Sequence, residues 1–444
     1  MKYKHITVLG GGFAGSLAAL IASRHAERVT IIEPSPWTEE KGNAGIPQSE
    51  HVHILVKRGQ DILEILEPRI LERLKAAGAL LVDWAQETEW KSIRGTAPQY
   101  DSNIKSLVFS RKLVNRVLHQ EIAEKPSIQI VPCRVKKLIF NDSGIERIVL
   151  DRQHALEKAD LYIDTRGRTA NTLDDLADFC GIIPEKVISN KLSYTSTVVA
   201  GKPQKELKQY FLQASSGQPL GYYTSPIEGD RYIFTVADLT GKTKSVMRQF
   251  ARHPVLRHKE VKRVHSFRKL HNKHRMYGKA KRFPNNLAIL GDAVCQLNPT
   301  YGHGLSLCVD QVHLLHDTLQ NQDFCSQSFQ RLVDKSVWDC WHLVKTEEWR
   351  IKPNTPLHYR FIHRYLDLLH EEAMHCETLH KLTLRVVHRL ASPTALFSPR
   401  TVLRMVASKC VRFFKNEGRR RITSLEKPID SSISLDKSIA KFSS

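Results

Sequence analysis

Six residues near the N-terminus constrain this chain more than any other stretch: Gly10-Gly11-Gly12-Phe13-Ala14-Gly15, a G-x-G-x-x-G. Residues 4–9 before it are apolar at Ile6, Val8 and Leu9 and read as a short buried β-strand. Residues 16–22 after it read as a helix. Gly10 permits the tight turn, Gly12 leaves room for a pyrophosphate to approach the backbone, and Gly15 allows the helix to pack on its strand. The free N–H groups at the helix start then face the phosphates. Residues 28–33 give a second strand ending in Glu33, whose carboxylate is placed to accept hydrogen bonds from a ribose. Strand, glycines, helix, strand and terminal acid in register predict a dinucleotide-binding α/β unit.

The chain has 444 residues, enough for two or three domains. No apolar run approaches the roughly 20 residues needed to cross a bilayer. Met1-Lys2-Tyr3-Lys4 runs straight into the first strand, leaving no room for a signal peptide. The eight cysteines are scattered without a C-x-x-C or a local Cys/His cluster, so reduced thiols in a cytoplasmic protein are expected, with no metal site. The formal charge of +21 admits an anionic membrane, an acidic substrate, nucleic acid or merely a solvated surface. No helix-turn-helix, zinc-finger or RNA-binding signature accompanies it, which argues against nucleic acid.

Further along, apolar residues at helical spacing from Ile62 to Leu74 predict a helix ending near Gly78, and residues 112–124 predict another. Short strands are expected at 128–131, 145–150 and 160–163, the last running into Asp164-Thr165-Arg166-Gly167-Arg168. The alternating segments 194–199 and 231–236 predict antiparallel sheet. His265, His271 and His274, among Lys and Arg, read as a solvated basic face. A buried strand at 286–290 is closed by Gly291-Asp292, followed by Asn298-Pro299-Thr300-Tyr301-Gly302-His303-Gly304 and a helix. Beyond 325 the pattern is helical, and the tail from 415 is basic and apolar-poor, with disorder expected. Near the end, Val402, Leu403, Met405, Val406, Val411, Phe413 and Phe414 alternate with Arg404, Lys409, Arg412 and Lys415. This is either a basic amphipathic helix lying on anionic lipid or a core helix with a basic edge.

The N-terminal glycine motif with its strand-end Glu33, the mid-chain Asp164-x-x-Gly167-Arg168 and the late Gly291-Asp292 together resemble the group A flavin monooxygenases. More narrowly, residues 47–53 and 291–299 are similar to a little-characterised bacterial subfamily of FAD-dependent oxidoreductases. The likeness runs to about residue 410. It implies an α/β fold: a discontinuous Rossmann-like FAD-binding domain (1–75, 105–170, 280–325) with an inserted β-sheet substrate domain (76–104, 171–279). A helical C-terminal region (326–414) and a tail (415–444) follow.

The resemblance also implies roles for single residues. Gly10, Gly12 and Gly15 would hold the FAD pyrophosphate and Glu33 the adenosine ribose, while Arg111 would reach the phosphate or ribityl region. Gly291 and Asp292 would bind the ribityl chain, Pro299 would lie near the isoalloxazine, and Gly302 and Gly304 would admit backbone N–H groups to its pyrimidine edge. His51 and His53 sit where a second cofactor-contacting loop would pass, either as hydrogen-bond donors or acids, or as structural histidines bonded to backbone.

The activity implied is oxygen insertion into an apolar aromatic or unsaturated substrate through a flavin C4a-hydroperoxide. NADPH or NADH would act as transient electron donor, or a separate flavin reductase would take that part. The alternatives are a geranylgeranyl-reductase-like reduction of carbon–carbon double bonds, or a flavin-bearing binding protein without turnover. No Trp-x-Trp-x-Ile-Pro segment of the flavin halogenases is present. A cytoplasmic location is expected, peripheral to the inner membrane face if the basic C-terminal segment meets anionic lipid.

Overall fold

The computed structural model describes residues 2–35, 53–152, 156–189, 192–215, 217–240, 264–267, 271–321, 324–350, 352 and 354–425. The chain begins with β1 (Tyr3–Leu9), α1 (Phe13–Ala22) and β2 (Ala26–Ile32). Ile6, Val8 and Leu9 are fully buried, as are Ala18, Ala19 and Leu20 of α1. An apolar strand and helix buried on all sides make the central layer of an α/β fold.

Helical spacing then yields two helices, α2 (Lys57–Leu66) and α3 (Pro68–Ala76), in place of one. The break falls at Glu67, which lies outside the helical region at φ −145°, ψ 73°. Pro68 excludes the helical conformation from the residue before it and lacks the N–H to continue the ladder. Four short strands follow: β3 (Leu80–Asp83), β4 (Thr88–Ser92), β5 (Gly95–Thr96) and β6 (Lys105–Val108). After α4 (Arg111–Ala123) come β7 (Ile128–Val131), β8 (Val135–Phe140), β9 (Ile145–Leu150) and β10 (Leu161–Asp164). The β8 strand, paired with β9 in a bulged hairpin, has no counterpart in the sequence reading. Exposed Lys136 and Lys137 side by side hide its alternation.

Next are α5 (Thr172–Cys180), β11 (Glu185–Ser189), β12 (Ser193–Ala200), β13 (Gln209–Leu212), β14 (Leu220–Ile227), β15 (Arg231–Asp238), β16 (His265–Phe267) and β17 (His271–Arg275). The chain then gives β18 (Leu287–Ile289), β19 (Cys295–Gln296) and α6 (Gly304–Gln320). Four helices follow: α7 (Ser326–Arg350), α8 (Leu357–Ala373), α9 (Glu377–Val387) and α10 (Pro399–Leu425). The last continues past 415, so residues 415–425 are helical where disorder was expected. Residues 426–444 lie outside the described ones.

Two sheets position the site. The first is five-stranded and parallel, in the order β18-β10-β1-β2-β7. Leu9 pairs with Ile32 on one side and with Asp164 on the other, and Asp164 pairs with Ile289. Gly10, Glu33, Thr165 and Leu290 therefore all leave the sheet at one edge, its carboxyl end. β1 has its sequence neighbour β2 on one side and the later β10 on the other, and such a reversal of strand order opens a crevice. The second sheet has seven strands, β16-β12-β15-β14-β13-β4-β5, antiparallel except where β13 runs parallel to β4. That pairing joins residues 88–96 to residues 193–267. Trp84, Trp90, Ala97 and Ile104 pack with Tyr223, Met374 and Leu384, so the helical C-terminal region closes over this sheet.

Candidate functional site

A cavity of about 580 Å³ opens at the carboxyl end of the parallel sheet. Its walls come from the glycine turn, Glu33, the first turns of α4, β8, residues 165–168, Asp292 and the segment from Leu297 to Cys308.

The three motif glycines differ in what surrounds them. Gly10 has φ +98°, and a Cβ there would lie 2.9 Å from the Thr165 carbonyl oxygen. A Cβ on Gly15 would come within 1.9 Å of the Gly10 carbonyl oxygen, so only glycine lets α1 begin this close to β1. Gly12 has an ordinary φ of −68°, and a Cβ on it would meet no atom within 4 Å. Glycine at this position leaves space above the helix N-terminus, which is where a phosphate group sits in such turns. Glu33 closes the turn: its Oε2 accepts from the Gly11 N–H at 2.7 Å and its Oε1 from the Ser35 N–H at 3.0 Å.

Arg111 opens α4, whose cap is Ser110 accepting from the Leu113 N–H at 3.1 Å. Glu228, in the turn after β14, accepts from the Ser110 N–H and Oγ, tying the second sheet to this helix start. The Arg111 side chain is buried, its guanidinium lies 5.3 Å from the Phe13 ring centroid, and its Nε has no hydrogen-bond partner. Among the described residues no carboxylate pairs with it. Burial pulls its pKa down to about 10. One turn later Asn115 lines the same cavity, and its Nδ2 is also buried without a partner. A buried cation without an ion pair is costly, and among the described residues neither the Arg111 Nε nor the Asn115 Nδ2 has an acceptor.

Asp292 sits in the 3-10 turn Gly291–Ala293, where Gly291 has φ +67° and its N–H donates to Gln311 Oε1 at 2.7 Å. Arg168 Nε lies 3.4 Å from Asp292 Oδ2. Pro299, Gly302 and Gly304 line the cavity with Leu297 and Leu305; Gly302 has φ +70°, and a Cβ on Gly304 would meet nothing within 4 Å. The N-terminus of the 17-residue α6 thus opens onto the cavity, where its free N–H groups favour negative charge. His53 lines the wall beside Ile54. His51 lies outside the described residues.

Asp164 turns inward. It is fully buried and accepts from Arg166 Nε at 3.0 Å, Arg166 Nη2 at 2.8 Å and Thr172 Oγ1 at 2.6 Å. Burial alone would raise its pKa, but the Arg166 guanidinium and Thr172 outweigh burial and hold the carboxyl below its usual range. His274, expected on a solvated basic face, is instead buried against Trp341 with its Nε2 3.3 Å from Asp334 Oδ1. Strand β17 lies between β11 and β19 and turns this side chain inward, while His271 stays exposed.

Asn115, His119, Arg134, Lys136 and Asn171 also face the cavity without having been singled out in the sequence, beside Arg168 of the mid-chain motif. For Asn115 and His119 the i, i+4, i+8 spacing from Arg111 was a readable signal. Lys136 comes from the strand that was itself missed, and Arg134 from the residue just before it. Their cations, with Arg111 and Arg168, outnumber Glu33 and Asp292, so the cavity suits an anionic ligand with ribose-like hydroxyls.

Beside Ile54 the cavity borders an aromatic cluster. Trp84 stacks with Tyr223 at 6.2 Å and meets His388 edge-on at 4.5 Å, while Trp90 meets Phe211 at 4.8 Å and His380 at 5.8 Å. His388 Nδ1 accepts from the Lys57 N–H, so its hydrogen is on Nε2, which has no acceptor among the described residues. His380 Nε2, Trp90 Nε1 and His303 Nδ1 are also buried and unpartnered. Burial drives the pKa of His303 and of His388 down to about 3 and that of His380 to about 4.

The strand order, the glycine turn and the late Gly-Asp turn give a fold similar to that of solved flavin-dependent enzymes. The family model described as "Glucose inhibited division protein A" matches residues 5–173. In sequence, the chain is 24% identical over 395 residues to Protein Rv3254 of Mycobacterium tuberculosis, covering 76% of this chain and 78% of that one. In structure, it is similar to p-nitrophenol 4-monooxygenase PnpA from Pseudomonas putida DLL-E4, with TM-score 0.62, 14% identity and coverage of 87% and 98% of the two chains. The flavin-dependent brominase Bmp2 aligns with TM-score 0.61 at 12% identity, covering 92% and 100%. A variant of 2-methyl-3-hydroxypyridine-5-carboxylic acid oxygenase aligns with TM-score 0.60 at 14% identity, covering 77% and 90%.

Proposed function

We propose that the chain is an FAD-dependent monooxygenase acting on an apolar aromatic or unsaturated molecule. The observation that carries this reading is Arg111: a buried guanidinium with a free Nε, facing a glycine-lined cavity at the carboxyl end of a Rossmann-like sheet. The residues fit FAD: Gly12 leaves the space, Arg111 and Asn115 offer unpaired donors, and Glu33 and Asp292 offer acceptors for ribose and ribityl hydroxyls. When bound, the flavin supplies the two-electron chemistry that passes reducing equivalents to molecular oxygen.

The chain's own residues then bind, orient and exclude water. Arg111 and the α1 N-terminus neutralise the pyrophosphate. The α6 N-terminus, with Gly302 and Gly304, would favour negative charge at the flavin's polar edge, and Pro299 would line the cavity beside its ring. His53 is our candidate hydrogen-bond donor beside the reacting face, and His51 is the second. The aromatic cluster packed behind Ile54 gives that end of the cavity an apolar setting, which suits an apolar substrate. Such a substrate partitions into bilayers, so action at a membrane face suits the reading.

We take NADPH or NADH as transient electron donor, since the sequence holds no second glycine loop; a separate flavin reductase is the other source. Anaerobic mixing of the FAD-loaded protein with NADPH or NADH tests this. Bleaching of the flavin absorbance, accelerated by a lipophilic phenol or polyene, followed by substrate-linked oxygen uptake, is the expected result. Reduction that saturates a double bond without oxygen uptake would instead identify a double-bond reductase, and an inert flavin a binding protein.

A further inference from the structure

Helix α10 is mounted with its polar side inward. Thr401, Met405, Ser408 and Arg412, spaced four, three and four residues apart, form its inward face. Ser408 Oγ donates to Glu372 Oε2 at 2.9 Å, and Arg412 Nη2 lies 2.7 Å from Glu371 and 2.6 Å from Glu372. Met405 is the one member packed on the small apolar cluster of Leu366, Leu369, Ala373 and Leu379. The opposite side carries Leu403, Val406, Phe413 and Phe414, exposed by 70%, 53%, 59% and 69%, with exposed Cys410 among them. This inverts the usual amphipathic pattern, in which the apolar stripe faces the core. On α8, against which α10 rests, Leu357 and Phe361 are exposed by 64% and 66%.

We infer that the outer face of α10 docks on an anionic lipid surface. Exposed Arg404 and Lys409 flank the apolar arc, so their stems can lie along it while their charges reach headgroups. Residues 399–425 hold eight Lys or Arg and a single acid, Glu417. Anionic headgroups complement that charge, whereas a second copy of the chain would bring the same positive charge to the contact. Among the described residues no helix is long and apolar enough to cross a membrane, so the contact is in the plane of the interface. Nothing in this inference depends on the flavin.

The test is co-sedimentation of the full chain with vesicles of phosphatidylcholine alone and with about a third phosphatidylglycerol. Binding to the mixed vesicles, weakened by salt, is expected. The double variant L403S/F414S, altered only at exposed positions, should bind at least about tenfold more weakly with an unchanged Tm. R404Q and K409Q should each weaken binding about fivefold. Equal binding to both vesicle types, or no binding together with a self-association that L403S/F414S abolishes, would overturn the assignment.

Discussion

The Gly11 N–H donates to Glu33 Oε2 over 2.7 Å, joining the first turn of the glycine loop to the end of the second strand. Both carboxylate oxygens are anchored by backbone, Oε1 accepting from the Ser35 N–H, while lone pairs remain for a ribose. Glu33→Gln keeps an acceptor for Gly11 but weakens the acceptor for a hydroxyl. We expect FAD affinity to fall about tenfold with little change in apo-protein Tm, read by fluorescence titration and thermal melting.

Two glycines three residues apart should fail in opposite ways when a methyl group is added. Gly12→Ala, at φ −68° and with nothing within 4 Å, should fold normally yet bind FAD on the order of tenfold to a hundredfold more weakly. Gly15→Ala forces the helix off its strand and should cost about 1–3 kcal/mol of stability before any ligand is added. Melting the two apo-proteins side by side separates ligand clearance from packing.

Arg111→Met removes a buried charge that has no ion-pair partner among the described residues. The apo-protein should be as stable as the wild type or more so, because an uncompensated buried cation is lost. FAD affinity should drop by about 10- to 100-fold, as expected for a charge-assisted hydrogen bond. A structural arginine would show the reverse, a lower apo Tm with affinity unaltered.

His303 and His388 are held neutral by burial, with folded pKa values of about 3 against about 6.5 in the unfolded chain. Below that unfolded value the unfolded state binds more protons, so their contribution is complete above pH ~6.5 and declines as pH falls toward 3. The slope should reach about 1.4 kcal/mol per pH unit for each histidine. His388→Asn, which keeps an acceptor for the Lys57 N–H, should flatten the decline of urea-unfolding stability between about pH 6 and pH 4.

What was legible in the sequence was what the local chain decides. Gly10, Gly12, Glu33, Asp292, Pro299, Gly302 and Gly304 all lie in the turns that follow strands, and they line one cavity, while Gly15 packs behind it against Gly10. Arg111 was reachable because it opens a helix. Arg134 and Lys136 were not, since Lys136 and Lys137 stand side by side and hide the alternation of β8, which reaches the cavity only through its place after β7. The burial of Asp164 and His274 likewise depends on the strands beside them, which no spacing along the chain reports. The inward polar face of α10 became visible only once Glu371 and Glu372 were found beneath it.

The most direct measurement is the titration of FAD into purified apo-protein, wild type and Arg111→Met together, followed by flavin fluorescence and by the ligand-induced rise in Tm. Saturable one-to-one binding by the wild type, a Tm that rises with FAD concentration, and a large loss of both in Arg111→Met are predicted. A folded wild-type protein that takes up no FAD, or an Arg111→Met variant that binds it equally well, would contradict the assignment of this cavity.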